Sequence, residues 1–312
     1  MKCGITGKKI LITGASGQCG RGLAFVLAAK NEVHALARFS KPEVKEELQR
    51  NGCVIWQMDM ATERPTRLPK DFDIVIHEAV NWGGDDSLAE QNRSFHLSCQ
   101  FVGDLMYANE QARFALVSTG SVYKAVEGTC KEDETPVMPQ GTYCLAKVCM
   151  TQVARWIGHT FQRPWVVLRY YFPFAPYVPH PKVDRALTGQ MAGDNPAAPA
   201  QRTYIQNHIF NTLRALQYAK PEGEIFNSAT TEKITAGDMA RIGAKVAGVQ
   251  VDPRALQPGY SPGPRHEADT EKILRLLGPS PVSLEEGFRR YLRARRENIL
   301  VPQSWMFEEE RK

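Results

Sequence analysis

Short apolar runs alternate with amphipathic stretches through the first half of the chain. "KKILITG" is a compact apolar run closing on glycine, and "GRGLAFVLAAK" behind it has helical periodicity. "EVHALAR" and "CVIWQMD" read as strands, separated by the charged helical stretch "KPEVKEELQRN". "FDIVIHEA" reads as a further buried strand. A long helix is expected around Leu97 to Asn109, leading into the strand "RFALVST". A helix carrying "YCLAK" then leads into the strand "WVVLRYY". Apolar strands separated by helices predict a parallel sheet covered on both faces. Right-handed crossovers make that sheet a doubly wound, Rossmann-type α/β fold.

The texture changes after Phe172. "FPFAPYVPHP" and "GDNPAAPAQ" are rich in proline and irregular, as loops over a binding site are. A helix ("IFNTLRALQYA"), a strand ("EIFNSAT") and helices starting near Ala236 and Asp269 follow. A last helix is expected after "PVSLEEGF", capped by Ser283 with Glu286 three residues on. The terminal "EEERK" reads as a frayed tail.

Composition narrows the classes. The 312 residues are 43% hydrophobic and 23% charged, which is ordinary for a globular protein rather than a disordered or fibrous one. A formal charge of +5 suits anionic ligands but is too small and too scattered to argue for nucleic acid. The densest basic run, "RRYLRARR", sits in an amphipathic helical pattern and reads as a solvated helix face. No apolar run approaches the ~18–20 residues that span a bilayer, so no membrane partner is expected. The N-terminal stretch has no signal-peptide pattern. Seven cysteines, an odd number without C-x-x-C spacing, suit a reducing cytoplasm. The histidines lack metal-binding spacing, and no metal is expected.

Candidate chemistry begins at "TGASGQCGRG", where Gly14, Gly17 and Gly20 stand three apart at a strand-to-helix turn. Glycine there permits a tight turn and lets the backbone approach a diphosphate at the helix N-terminus. Gln18 and Cys19 lie within the same loop. Residues 1–171 are accordingly expected to form a dinucleotide-binding domain. Residues 172–312 are expected to be mainly a smaller substrate-binding region, with about 203–230 returning to the first sheet. Tyr143 and Lys147, four apart, fall on one face of a helix. Taken alone that spacing decides nothing, since it arises by chance.

Taken together these segments resemble the short-chain dehydrogenase/reductase superfamily. The matches run in order: the glycine loop after strand one, Asp59–Met60, "VIHEA" ending at Ala79, "LVSTGSVY" and "YCLAK". More narrowly the chain is similar to the extended, NAD-dependent epimerase/dehydratase branch, which also accounts for "LRYYFP" and the later segments. The resemblance implies Tyr143 as acid/base, Lys147 as its partner and as a nicotinamide-ribose ligand, and Thr119 as the hydroxyl member. A nearby ammonium is expected to lower the tyrosine pKa from about 10. The resemblance also implies a small-molecule substrate, with a homodimer as the assembly to consider.

Three departures shape the expectation. Strand two ends in Ala37 and Arg38 where many NAD-using relatives carry an aspartate. Arg38, with Ser40 and Lys41, reads as a 2′-phosphate ligand, which leans the NAD(P) expectation to NADP. Gly120 and Ser121 replace the acidic pair of dehydratases, which disfavours elimination, and Ser121 joins Thr119 as a substrate contact. Phe172 replaces the asparagine that touches the diphosphate in nucleotide-sugar epimerases, while Arg202 matches an arginine used there. His208 reads as a packing residue. The main expectation is an oxidoreductase interconverting a secondary alcohol and a ketone. The alternative is a sugar or nucleotide-sugar epimerase with tightly held NAD, and a non-catalytic scaffold has no need of all three catalytic side chains.

Overall fold

The computed structural model describes residues 4–81, 86–190, 195–256 and 267–310. Its first half runs β1 (Lys9–Thr13), α1 (Gln18–Ala28), β2 (Glu32–Ala37), α2 (Pro42–Arg50), β3 (Val54–Gln57) and β4 (Ile74–His77). Then come α3 (Leu88–Phe95), α4 (Phe101–Ala108), β5 (Arg113–Thr119), α5 (Gly141–Phe161) and β6 (Trp165–Tyr170). The second half supplies β7 (Pro173–Phe174), α6 (Pro181–Leu187), β8 (Thr203–Tyr204), α7 (Ile205–Ala215), β9 (Glu224–Ser228), α8 (Ala236–Ala247), α9 (Glu271–Leu276) and α10 (Leu284–Arg296).

Seven strands form one sheet in the order β3-β2-β1-β4-β5-β6-β9, and every pairing is parallel. The strand β9, from the second half, closes its edge. Alternate residues feed opposite cores, as the pleat requires. Ile10, Ile12, Ile76, Val117 and Leu168 face one layer; Leu11, Val75, Phe114, Leu116 and Val167 face the other. The order reverses between β1 and β4. Ligands of doubly wound sheets bind at such a switch point, beyond the strands' C-terminal ends.

Trp165 ties three elements together. A Cβ on Gly158 of α5 or on Gly223 before β9 would fall inside its indole ring. Its indole N–H donates to the Pro221 carbonyl at 3.2 Å.

Two expectations need correction. The helix predicted from Leu97 begins nine residues earlier: Ser87 caps α3 by accepting from the Glu90 amide. One wide turn, His96–Gln100, joins α3 to α4, and "LAEQNRSF" is too polar to show helical periodicity. The tail is also not simply frayed, because the Glu310 carboxylate accepts from the Ser283 amide at 2.9 Å and its hydroxyl at 3.1 Å. Part of "GDNPAAPAQ" and the last two residues lie outside the described residues.

Candidate active site

A cleft of about 570 Å3 opens over the C-terminal ends of β1, β4 and β5. The glycine loop forms its floor. Gly14 has φ +67°, and a Cβ there would stand 2.7 Å from the Ala79 amide nitrogen. A Cβ on Gly20 would stand 2.5 Å from the Gly14 carbonyl oxygen. Each glycine is therefore required by its neighbour's backbone. Gly17 caps α1 with no side chain, and no acidic residue follows in the first turn. The helix thus presents bare amides and a positive dipole end to the cleft. Gln18 adds a buried side-chain amide nitrogen without a protein partner. Such a cradle fits a diphosphate. The start of α1 is tied down by the buried Tyr177, whose hydroxyl donates to the Gln18 carbonyl at 2.7 Å.

Thr119 ends β5, and Tyr143 and Lys147 lie in the first two turns of α5, all lining the cleft. Thr119 Oγ1 accepts from the Ser121 amide at 3.2 Å and hydrogen-bonds with Tyr143. Lys147 is fully buried, and its Nζ donates to the Ala79 carbonyl at 3.1 Å. Burial lowers its pKa to about 8, opposed by the Glu78 carboxylate. The expected depression of the Tyr143 pKa is absent. Burial raises it above 10, Cys144 adds to the rise, and the Thr119 hydrogen bond opposes it. The ammonium is turned toward Ala79, so its charge does not dominate at the phenol.

Arg38, Asp59 and Met60 line the far end of the cleft, past the end of β2. Arg38 is exposed. Asp59 pairs with Arg93 at 2.9 Å and accepts from the Ala61 amide at 3.1 Å. Despite a burial penalty, those bonds and the nearby Arg38 hold its carboxyl below the usual range.

The opposite end carries the substrate-side candidates. Ser121 and Phe172 line the cleft. Phe172 has φ +45°, a left-handed conformation that costs a bulky residue free energy, and its ring is 45% exposed. The Arg202 guanidinium lies 4.5 Å over that ring. Arg202 is not among the residues that line the cleft, and it touches one that is, Phe172. His208 is buried, stacks on Tyr170 at 4.1 Å and bonds Ser228 Oγ at 2.8 Å. Burial lowers its pKa to about 3, so it packs as a neutral ring.

Two of the lining residues missed from the sequence, Tyr171 and Glu78, shape the site most. Tyr171 covers Gly120, whose Cβ would overlap the phenol ring. Glu78, after β4, lines the cleft between the glycine loop and Lys147. Its carboxylate is 3.0 Å from the Tyr170 hydroxyl, and burial pushes its pKa up to about 7 despite Tyr170 and Lys147. An acid ending the apolar run "DIVIH" was the available signal.

A doubly wound sheet, a glycine cradle and a threonine–tyrosine–lysine group on one wall define a nucleotide-dependent enzyme of the short-chain dehydrogenase/reductase type. The pattern of the NAD dependent epimerase/dehydratase family matches residues 10–197, and the chain belongs to that family.

Solved structures agree on the fold. UDP-glucuronic acid 4-epimerase from Bacillus cereus, in complex with UDP-glucuronic acid and NAD, is 23% identical with a TM-score of 0.73, over 93% of this chain and 99% of that one. UDP-glucose 4-epimerase from Thermotoga maritima, with UDP-glucose, is 21% identical with a TM-score of 0.75, over 93% and 99%. UDP-N-acetylglucosamine 4-epimerase from Methanobrevibacter ruminantium, with UDP-N-acetylmuramic acid, is 18% identical with a TM-score of 0.78, over 95% and 100%. No curated protein matches the chain.

Proposed function

We propose that this chain interconverts a secondary alcohol and a ketone on a small molecule, with Tyr143 as acid/base. The observation that carries this reading is the placement of Thr119, Tyr143 and Lys147 on one wall of the dinucleotide cleft. Gly14, Gly17, Gln18, Cys19 and Gly20 would hold the diphosphate, and Arg38, Asp59 and Met60 the adenosine end. Ala79 and Lys147, with Tyr143, would hold the nicotinamide ribose. The bound nicotinamide supplies the hydride acceptor and donor. Thr119 orients the substrate oxygen, and Tyr143 takes or returns its proton while buried walls exclude water. The lack of an acid at Ala37, with Arg38 beside it, supports NADP over NAD as the dinucleotide.

Membership of the family supports epimerisation, in which a transient ketone is reduced again on its other face. Phe172 supports the second reading, net oxidation or reduction of a compact substrate. It offers no hydrogen bond to a diphosphate, whose desolvation needs paired charges. Arg202 would hold one carboxylate or phosphate of such a substrate. Two measurements separate the readings. Net change in nicotinamide absorbance over a substrate screen supports redox turnover, because an epimerase returns its hydride. Micromolar binding of UDP, dTDP or GDP, lost in Arg202→Ala, supports a nucleotide-sugar epimerase.

A further inference from the structure

A chain of hydrogen bonds behind the cleft has more acceptors than protons, and its end is Glu78. The Thr212 hydroxyl on α7 lies 2.9 Å from the His208 carbonyl, one turn back, to which it donates. With its proton spent there, Thr212 can only accept. The Tyr170 hydroxyl sits 2.6 Å from Thr212 Oγ1 and 3.0 Å from Glu78 Oε1. One phenolic proton serves one of these two: Tyr170 can donate to Glu78, and between Tyr170 and Thr212 either hydroxyl can be the donor. When Tyr170 donates to Thr212, its contact with Glu78 is satisfied only by a proton on Glu78. In the other arrangement Tyr170 donates to an ionised Glu78 and Thr212 turns from His208 to donate to Tyr170. The wire therefore has two states that differ by one proton.

That proton lies beside the place where the cofactor's charge would arrive. Glu78 and Cys19 of the glycine loop line the same floor, next to the bare amides of α1. An anionic diphosphate settling there disfavours a second negative charge. We propose that Glu78 is a proton-linked positioning residue of the dinucleotide site. The protein binds the cofactor with Glu78 protonated, taking up one proton there when the side chain begins ionised. This inference rests on the reading of the cleft as a dinucleotide site.

The groups facing Glu78 are Cys19 from α1, Tyr143 and Lys147 from α5 and Tyr170 from β6. Burial raises the pKa of Cys19, Tyr143 and Tyr170, so these stay neutral through the physiological range. Lys147 is the one cation among them, and its attraction does not outweigh the burial that raises Glu78 to about 7. The side chain is thus poised to change charge near neutrality.

The test is direct titration of the protein with NADH and, in parallel, NADPH between about pH 6 and pH 9. Wild type is expected to lose affinity by up to about tenfold per pH unit above neutrality, the limit for binding linked to one proton. Calorimetry at pH 8 in two buffers of different ionisation heat should register proton uptake. Glu78→Gln, whose amide can donate to Tyr170 as the neutral acid does, should retain the low-pH affinity, lose most of the slope and lose the uptake. Lys147 also sheds charge in this range, so a slope undiminished in Glu78→Gln belongs to Lys147 and overturns the proposal. A pH-independent wild-type affinity overturns it equally. If the glutamine variant does not fold, Glu78→Leu is read by the same slope. Failure of both nucleotides to bind at any pH instead removes the dinucleotide reading itself.

Discussion

The ring of Tyr171 lies across Gly120, in the space any side chain at that position would need. Dehydratases of the extended family place acids just after the active-site threonine. Here the step from β6 has filled the space over Gly120 with a phenol, while Ser121 still lines the cleft. A side chain at position 120 is thereby disfavoured by packing.

Gly120→Ala is expected to destabilise the fold by about 1–3 kcal/mol, the usual range for overpacking a filled site. In a Tyr171→Leu background the same change should cost markedly less. Urea denaturation of the four proteins gives the coupling. Equal costs in both backgrounds would show that the ring is not the obstacle.

Tyr143→Phe keeps the ring and removes the proton. Turnover should fall by at least about 100-fold, within the range for loss of a general acid/base, while cofactor dissociation constants stay within a few-fold. Retained turnover in steady-state assays would falsify the acid/base role.

Stability should respond to pH through two buried groups with opposite signs. Glu78 titrates near 4.5 when unfolded and about 7 when folded, so its contribution falls as pH rises through that window. Lys147 moves from 10.5 to about 8, so the folded state sheds its proton first and stability rises with pH between those values. Glu78→Gln should stabilise the cofactor-free protein at pH 8 by on the order of 2 kcal/mol, with little gain at pH 5. Denaturation midpoints at the two pH values check this, and an equal effect at both would exclude a titrating carboxyl.

Arg38→Asp exchanges a phosphate ligand for a ribose-hydroxyl acceptor. It should shift preference from NADP toward NAD, read as the ratio of the two dissociation constants. A wild type that already prefers NAD strongly would contradict the phosphate reading of Arg38.

At Phe172 the backbone is left-handed, a conformation asparagine adopts far more readily than phenylalanine. Phe172→Asn should raise stability by about 1 kcal/mol. It should also improve binding of UDP, because an amide can meet a diphosphate. A variant both less stable and no better at holding UDP would sink the idea that this residue excludes that ligand.

Much of this was legible in the sequence because it depends on local spacing. The glycine turn, the strands flanking it, the Tyr143–Lys147 face and the Ser283 cap of α10 are set by residues a few positions apart. Glu78 and Tyr171 were not, since their meaning comes from neighbours on other strands. Tyr170 is 92 positions from Glu78 along the chain. Arg290 is a further case: it lies in the basic run expected to face solvent, yet it is buried and donates to Gln206, Met306 and Glu308. Arg202 was legible as a candidate, but its seat on the Phe172 ring was not.

The indole of Trp165 grips α5 at Gly158, fifteen residues beyond Tyr143, so one hold on the helix lies far from its working end. Fifteen residues of α-helix span about 22 Å, so a tilt of roughly 2.5° at that hold swings the phenol by about 1 Å. A misplacement of that size can cost on the order of 100-fold in rate. Loosening the far end of the rod, by trimming the indole at the start of β6, would thus act on catalysis without touching the cleft. Its trace would be a slower chemical step with cofactor affinity nearly intact.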